Sequence, residues 1–206
     1  MPVLNEVADL RVGSTAASAA YLGGAKVWPS AATFTGGFES IATYTVSTSG
    51  IKSITFSSIP ATYQHLQIRG IMRSTRSAES VTFKMTVNGD ASAVYANHDL
   101  SGNGSGASAS GSASMTETYL RRFAGSPATA NTFGAVVLDI LDYADTSKNT
   151  TFRHFGGYDN NGSGEVGVYS GLWANTAAVS SITIGPDSQN YDLATHTTLA
   201  LYGIRP

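Results

Sequence analysis

The strongest constraint on this chain is that its apolar residues recur with a period of two. The stretch 81–87 (VTFKMTV) alternates apolar and polar residues, and the dipeptide Asn88-Gly89 follows it. Such alternation is typical of a β-strand with one buried face, and Asn-Gly is a strong signal for a hairpin turn. No long stretch has apolar residues at the intervals of three and four that an amphipathic helix needs. The pattern therefore predicts an all-β chain.

Further segments rich in Val, Ile, Thr, Tyr and Phe are separated by Gly, Asn, Ser or Pro, at intervals of roughly ten to fifteen residues. This spacing favours an antiparallel β-sandwich, of the jelly-roll type, over residues 33–206. The nearly continuous apolar run 135–141 predicts a central strand covered on both faces. Asp139 inside that run needs a polar partner, because a buried carboxylate is otherwise unstable. The predicted strands are 43–46, 51–56, 66–72, 81–87, 115–123, 134–143, 150–155, 166–173, 181–184 and 198–204.

Residues 101–114 (SGNGSGASASGSAS) are of low complexity. Their side chains are too small to bury much apolar area, so we expect a long Gly/Ser loop within the sandwich. The alternatives are a β excursion ordered by a neighbour or a linker between two domains. The loop is favoured over the linker, because the strands on either side are too few to form a stable domain alone.

Composition limits the partners of the chain. Charged residues make up 13% of the 206 residues, about half the usual share, and the net charge is −2. A global field that would attract nucleic acid or an anionic membrane is therefore missing, and we expect neither partner. The densest basic group, Arg69, Arg73 and Arg76 beside Glu79, is predicted to be a solvated or ion-paired strand end. The chain has no cysteine, which excludes disulfides, thiolate zinc sites and cysteine nucleophiles.

The amino terminus (MPVLNEVADL) does not resemble a signal peptide, and no apolar run is long enough to span a membrane. We therefore expect synthesis in a cytoplasm without secretory export and without membrane insertion.

Residue patterns that carry chemistry are weak in this sequence. It has no phosphate-binding loop and no Gly-x-Ser-x-Gly nucleophile. The four histidines have no local metal-ligand spacing, and His98-Asp99 would point to opposite faces of a strand. The spacing of Asp139, Asp142 and Asp145 does not establish a glycosidase pair. We therefore predict that the chain is not an enzyme and uses no cofactor or metal, and a polysaccharide hydrolase is the weakest of the functions considered.

The segment 159–164 (DNNGSG) carries oxygen donors at alternate positions, as a calcium loop does, but Ser170 stands where a bidentate Glu is needed. A tight polar β-turn between strands is the preferred interpretation. Tyr158, Asp159 and Trp173 are the candidate ligand-facing residues, because aromatic rings beside a polar loop can stack on sugars. The alternative for Trp173, together with Tyr169, is burial in the core or at an interface.

The first 32 residues form a predicted attachment segment. The stretch 21–28 (YLGGAKVW) resembles a miniature hairpin that is too small to bury its own apolar side chains. We therefore expect Tyr21, Leu22, Val27 and Trp28 to be buried against a partner protein.

Three short patterns resemble virion surface proteins of tailed bacteriophages. The first is VGST at 12–15 followed by YLG at 21–23 and VWP at 27–29; the second is FESI at 38–41; the third is the closing strand TLALYGI at 198–204. Together they cover about a third of the chain. In that family the opening hairpin lies near the amino terminus, and the Leu-Tyr-Gly-Ile strand closes a β-sandwich.

The resemblance implies a non-enzymatic structural protein of the virion, either a capsid decoration protein or a head, neck or tail fibre. It implies a homotrimer that binds other virion proteins and is assembled in the host cytoplasm. The alternative is a receptor- or carbohydrate-binding module of a tail fibre, with a host-surface glycan as its ligand.

Overall fold

The structure is a computed structural model that describes the backbone of residues 11–12, 15–16, 20–22, 25–28 and 37–205, and the side chains of 37–205. Within these residues all regular secondary structure is β-strand. Two compact units are present, Met1–Gly37 and Phe38–Pro206. The division lies five residues after the predicted boundary of the attachment segment.

The first unit contains two short antiparallel ribbons. Strand β1 (Arg11–Val12) pairs with β2 (Thr15–Ala16), and β3 (Ala20–Leu22) pairs with β4 (Ala25–Trp28). The second ribbon is the hairpin predicted at 21–28. The side chains of the predicted attachment residues Tyr21, Leu22, Val27 and Trp28 lie outside the described residues.

The second unit is an antiparallel β-sandwich, which confirms the predicted fold class. Its larger sheet has eight strands in the order β10-β9-β14-β13-β12-β7-β16-β5, and its smaller sheet has four in the order β11-β8-β15-β6. The strands are β5 (Phe38–Thr45), β6 (Ile54–Phe56), β7 (His65–Met72), β8 (Ser80–Val87), β9 (Tyr95–Gly102), β10 (Ala107–Met115), β11 (Thr118–Ala124), β12 (Gly134–Leu141), β13 (Thr150–Asp159), β14 (Gly164–Trp173), β15 (Ile182–Pro186) and β16 (Thr198–Ile204).

The core lies between the inner faces of the two sheets. In β8 the alternation read from the sequence is realised, since every second residue is buried. The predicted turn follows it, with Asn88 and Gly89 both at positive φ. Phe83 and Phe123 of the smaller sheet meet edge to face, with ring centroids 5.2 Å apart. This geometry adds stabilisation to the burial of both rings.

The predicted loop at 101–114 is wrong. Residues 101–102 end β9, residues 107–115 form β10, and only 103–106 make the connection. Small side chains do predict little buried area, and eight of the nine residues of β10 are exposed. The strand is held instead by backbone pairing with β9 from Ala107 opposite Gly102 to Ser112 opposite Asn97. Backbone hydrogen bonding does not depend on side-chain size, and the structure matches the alternative prediction of a β excursion ordered by a neighbour.

The prediction that 135–141 is covered on both faces is also wrong. Strand β12 lies within the larger sheet, but only alternate residues are buried, and Val137 is exposed on the outer face. The continuous apolar run therefore has one face in the core and one facing outward. Asp139 does find polar partners, since it accepts hydrogen bonds from Gln67 Nε2 (2.6 Å) and Arg153 Nη2 (2.9 Å).

Arg73 fixes the loop between β11 and β12. Its guanidinium donates hydrogen bonds to four backbone carbonyls of that loop, those of Ser126, Ala128, Thr129 and Thr132, at 2.8–3.2 Å. Arg76 instead pairs with Asp187. Of the three arginines, Arg76 thus agrees with the ion-paired interpretation of this cluster, whereas Arg73 binds backbone carbonyls and Arg69 donates to Gln67.

Candidate functional site

The outer face of the larger sheet carries a row of apolar side chains across four neighbouring strands. Val137, Phe155, Val168 and Leu100 stand directly opposite one another in the register of β12, β13, β14 and β9. Phe155 is 56% exposed and Leu100 is 59% exposed. We call these four residues the outer row. Contiguous exposed apolar surface of this kind typically marks a binding site.

A concavity of about 560 Å³ lies beside the outer row, towards the turns at one end of the sheet. Glycine shapes it, because the next row across the strands has Gly157 opposite Val166 and Val166 opposite Gly102. The two glycines place no side chain on the outer face, so the surface is lower there than at Phe155. The rim is polar and includes Asn103 and Asp159 from the turns and strand ends.

The turn between β13 and β14 closes one end of the concavity. Asn160 N–H donates to Ser163 C=O, and Asn161 and Gly162 both have positive φ. This is the tight polar turn preferred for 159–164 over a calcium loop. Asp159 is exposed, and its Oδ1 accepts a hydrogen bond from Gly162 N–H at 3.1 Å. Of the three predicted ligand-facing residues, Asp159 is the one at an accessible position.

Tyr158 and Trp173 are buried, so the prediction that they face a ligand is corrected. Trp173 is 1% exposed in the core, and its Nε1 donates to Asp90 Oδ2 at 2.8 Å. Hydrogen bonds from Ser92, and after them the one from this indole, lower the pKa of Asp90 to about 2. Tyr158 packs in a small buried cluster with two alanines, Ala124 and Ala128. The side chains of both aromatic residues point to the inner face of the larger sheet. The sequence alone did not show which of the two faces of each strand is the inner one.

A polar cluster lies on the inner side of the same strands. At Arg122 the pairing of β11 with β8 shifts register, and this residue has a φ of 73°. Such a bulge redirects a side chain. The guanidinium donates to Glu165 Oε2 at 2.8 Å and to Ser101 Oγ at 3.0 Å, beside a smaller cavity of about 350 Å³. Its charge is therefore balanced within the protein.

Deeper on this inner side, His154 stacks on Tyr169 with ring centroids 3.9 Å apart. Burial lowers the pKa of His154 to about 3 and raises that of Tyr169 to about 12. Both side chains are consequently neutral at pH 7. Neutral stacked rings in the interior are a packing element, and this is where the structure places the Tyr169 that the sequence assigned to the core.

The histidine and aspartates considered for acid–base catalysis do not form a catalytic pair in the structure. His98 is exposed and Asp99 is buried, as expected for adjacent residues of a strand. Asp142 and Asp145 lie in the turn after β12, and Lys148 bridges them at 2.6 and 3.2 Å. Asp139 belongs to β12 and pairs with Arg153. All three aspartates therefore form ion pairs with lysine or arginine side chains of the same chain.

In the part of the chain that the structure describes, no group of three or more His, Asp or Glu side chains is placed to hold a metal ion. Over the same residues, no helix has the length and apolar character needed to cross a membrane.

Comparison with known proteins found no matching family model, no matching curated protein and no matching solved structure.

Proposed function

We propose that this chain is a non-enzymatic structural protein on the surface of a bacteriophage particle. Its N-terminal segment binds other virion proteins of the capsid or tail, and its sandwich projects as a decoration or fibre domain. The observation that carries the proposal is the outer row, an uncharged apolar surface that remains in water unless another protein covers it. Such a surface is typical of a protein that is packed against neighbours.

The strand order supports the jelly-roll form of the sandwich. When the hairpin partners β9, β10, β13 and β14 are set aside, eight strands remain, four in each sheet. Along the chain they run large sheet, small sheet, large, small, small, large, small, large. Repeated crossing between two antiparallel sheets of four is the pattern of a jelly roll, a fold used by viral capsid proteins.

The partners follow from the same proposal. The short patterns at both ends of the sequence favour a homotrimer assembled in the host cytoplasm and then carried on the virion. The separate N-terminal unit supports an attachment role, because a two-stranded ribbon is marginally stable alone and gains stability from a partner.

Replacing Tyr21, Leu22, Val27 and Trp28 together by Ser should remove the protein from purified particles. The reason is that serine cannot supply the apolar area that these side chains contribute to attachment. The measurement is the amount of this protein per particle, by quantitative mass spectrometry and by electron-microscopy density. Lys26→Ala in the same hairpin is the matched control and should be incorporated normally. Normal incorporation of the fourfold variant would overturn the attachment role, and absence of the wild-type protein from particles would overturn the virion assignment.

A second candidate function is binding of a host-surface glycan, and the exposed ring of Phe155 favours it. An aromatic ring beside a concavity with polar groups such as Asp159 on its rim suits stacking on a sugar. If this function holds, Phe155→Ala should reduce binding on a glycan array at least tenfold, since stacking on the ring is lost. Val137→Ala, in the same row but without a ring, should leave binding within about twofold. No glycan bound by the wild-type chain would reject this candidate.

A further inference from the structure

Strand β10 is an edge of the larger sheet, and among the residues that the structure describes no strand pairs with its outer side. Its residues 107–114 are all Ala, Ser or Gly, and all of them are exposed. Proteins normally guard an exposed edge with a charged residue, a proline or a covering loop. The other edge of this sheet, β5, does carry a charge, Glu39, which binds Arg205. The contrast indicates that β10 is kept free of obstacles for pairing.

The hydrogen-bonding groups that β10 offers can be assigned. Asn103 N–H donates to Gly106 C=O at 3.2 Å, so this pair closes the β9–β10 hairpin. Bonded pairs then recur at every second position of an antiparallel ladder. Ser108, Ser110 and Ser112 therefore bond to β9. Ala107, Ala109 and Gly111 direct their N–H and C=O groups to the open side.

The open groups are symmetric about Ala109. Ala107 and Gly111 lie two residues on either side, and beyond Ser112 the ladder is interrupted by an irregularity that ends at Met115. In an antiparallel pair of two identical strands, Ala109 can stand opposite its own copy. Ala107 then stands opposite Gly111 in both directions. The three bonded pairs supply about six hydrogen bonds, and no side chain larger than alanine enters them.

We propose that β10 pairs in the antiparallel direction with β10 of a second copy of this chain. The two strands are related by a two-fold axis that passes between the two copies of Ala109. The occupant is a second copy because the free edge complements itself in hydrogen bonding, in size and in its lack of charge. The outer row supports the same choice. Leu100 stands opposite Ala109, so the pairing joins the apolar rows of the two copies into one surface. A closed two-fold contact also leaves no edge at β10 for open-ended growth.

This inference does not depend on the phage assignment. The contact is formed by the sandwich, and its two-fold symmetry makes it distinct from a three-fold contact made by the N-terminal segment.

A single cysteine tests the register, because the natural chain has none. In the full chain, Ala109→Cys brings two cysteines to about 5.5 Å between Cα atoms, within disulfide range. Ala107→Cys is the matched control, since the two copies of residue 107 lie roughly 13 Å apart along the strands. We expect mild oxidation to give at least ten times more covalent dimer for Ala109→Cys than for Ala107→Cys. Equal yields, or no dimer from either variant, would overturn the register.

A second experiment tests whether the two copies associate, by placing a charge at residue 109 beside the two-fold axis. Ala109→Lys places two ammonium groups opposite each other, and lysine is the residue that commonly guards natural edges. Light scattering should show an even number of wild-type chains and half that number for Ala109→Lys, with an unchanged far-ultraviolet circular dichroism spectrum. Ala109→Ser, the uncharged control, should keep the wild-type mass. A wild-type monomer or a simple trimer would rule the contact out.

Discussion

Trp173→Ala should lower the free energy of unfolding by about 3–5 kcal/mol, the usual loss for removing a large buried aromatic side chain. Trp173 is among the largest fully buried side chains of the sandwich, and its indole also binds Asp90. The variant should melt roughly 10 °C lower than the wild type, because a domain of this size loses about 2–4 °C per kcal/mol. Urea unfolding followed by far-ultraviolet circular dichroism, together with a thermal melt by the same signal, provides the measurement.

Phe155→Ala is the matched control for this prediction, because its ring is more than half exposed on the outer face. Its unfolding free energy should change by less than about 0.5 kcal/mol, as is usual for surface positions. Comparison of the two variants thus distinguishes a residue needed for stability from one available for binding. If Trp173→Ala were as stable as the wild type, Trp173 would not belong to the core, and its rejection as a ligand contact would have to be withdrawn.

Acid should destabilise the sandwich through His154. The pKa of this residue is about 3 in the folded chain because of burial, against an ordinary value of 6.5. Between these two values the unfolded chain binds a proton that the folded chain does not. The stability contributed by neutral His154 is therefore present above pH 6.5 and is lost as the pH falls towards 3. At pH 4.5, two units below 6.5, the expected loss is about 3 kcal/mol relative to neutral pH.

His154→Phe isolates this contribution, because phenylalanine can stack on Tyr169 and does not titrate. Urea unfolding of both proteins at pH 7.5, 6, 5 and 4.5 gives the comparison. The wild type should lose about 1.4 kcal/mol more than the variant for each pH unit below 6.5. Parallel pH profiles for the two proteins would contradict the assignment of a neutral, buried His154.

The strands that the sequence predicts best are those with strict alternation. β8 is the example, since buried apolar and partly exposed polar residues alternate through its whole length and Asn88-Gly89 ends it. β10 is the opposite case, because Ala, Ser and Gly give no contrast between its faces. Its strand conformation depends on β9, which stands beside it in the sheet. Local patterns therefore left this strand as an alternative and favoured a loop.

The candidate site was harder to predict than the fold, because exposure depends on which face of the sheet receives a second layer. Phe155 and Trp173 both lie in predicted strands, yet one faces water and the other the core. The sequence did carry one indication of an apolar outer face, because the neighbours Val136 and Val137 place apolar side chains on both faces of β12. The pattern expected for a strand covered on both faces fits this equally well, so the sequence did not distinguish a buried outer face from an exposed one.

The position of β16 has a consequence for the order of folding. This strand lies between β5 and β7 in the larger sheet, and it is the last strand of the sandwich in sequence. During synthesis on the ribosome, β5 therefore cannot pair within the larger sheet until residues 198–204 have emerged. Pairing across such a separation is slow, because a long stretch of chain must be closed before the contact forms. Completion of the sandwich is thus linked to synthesis of its final strand.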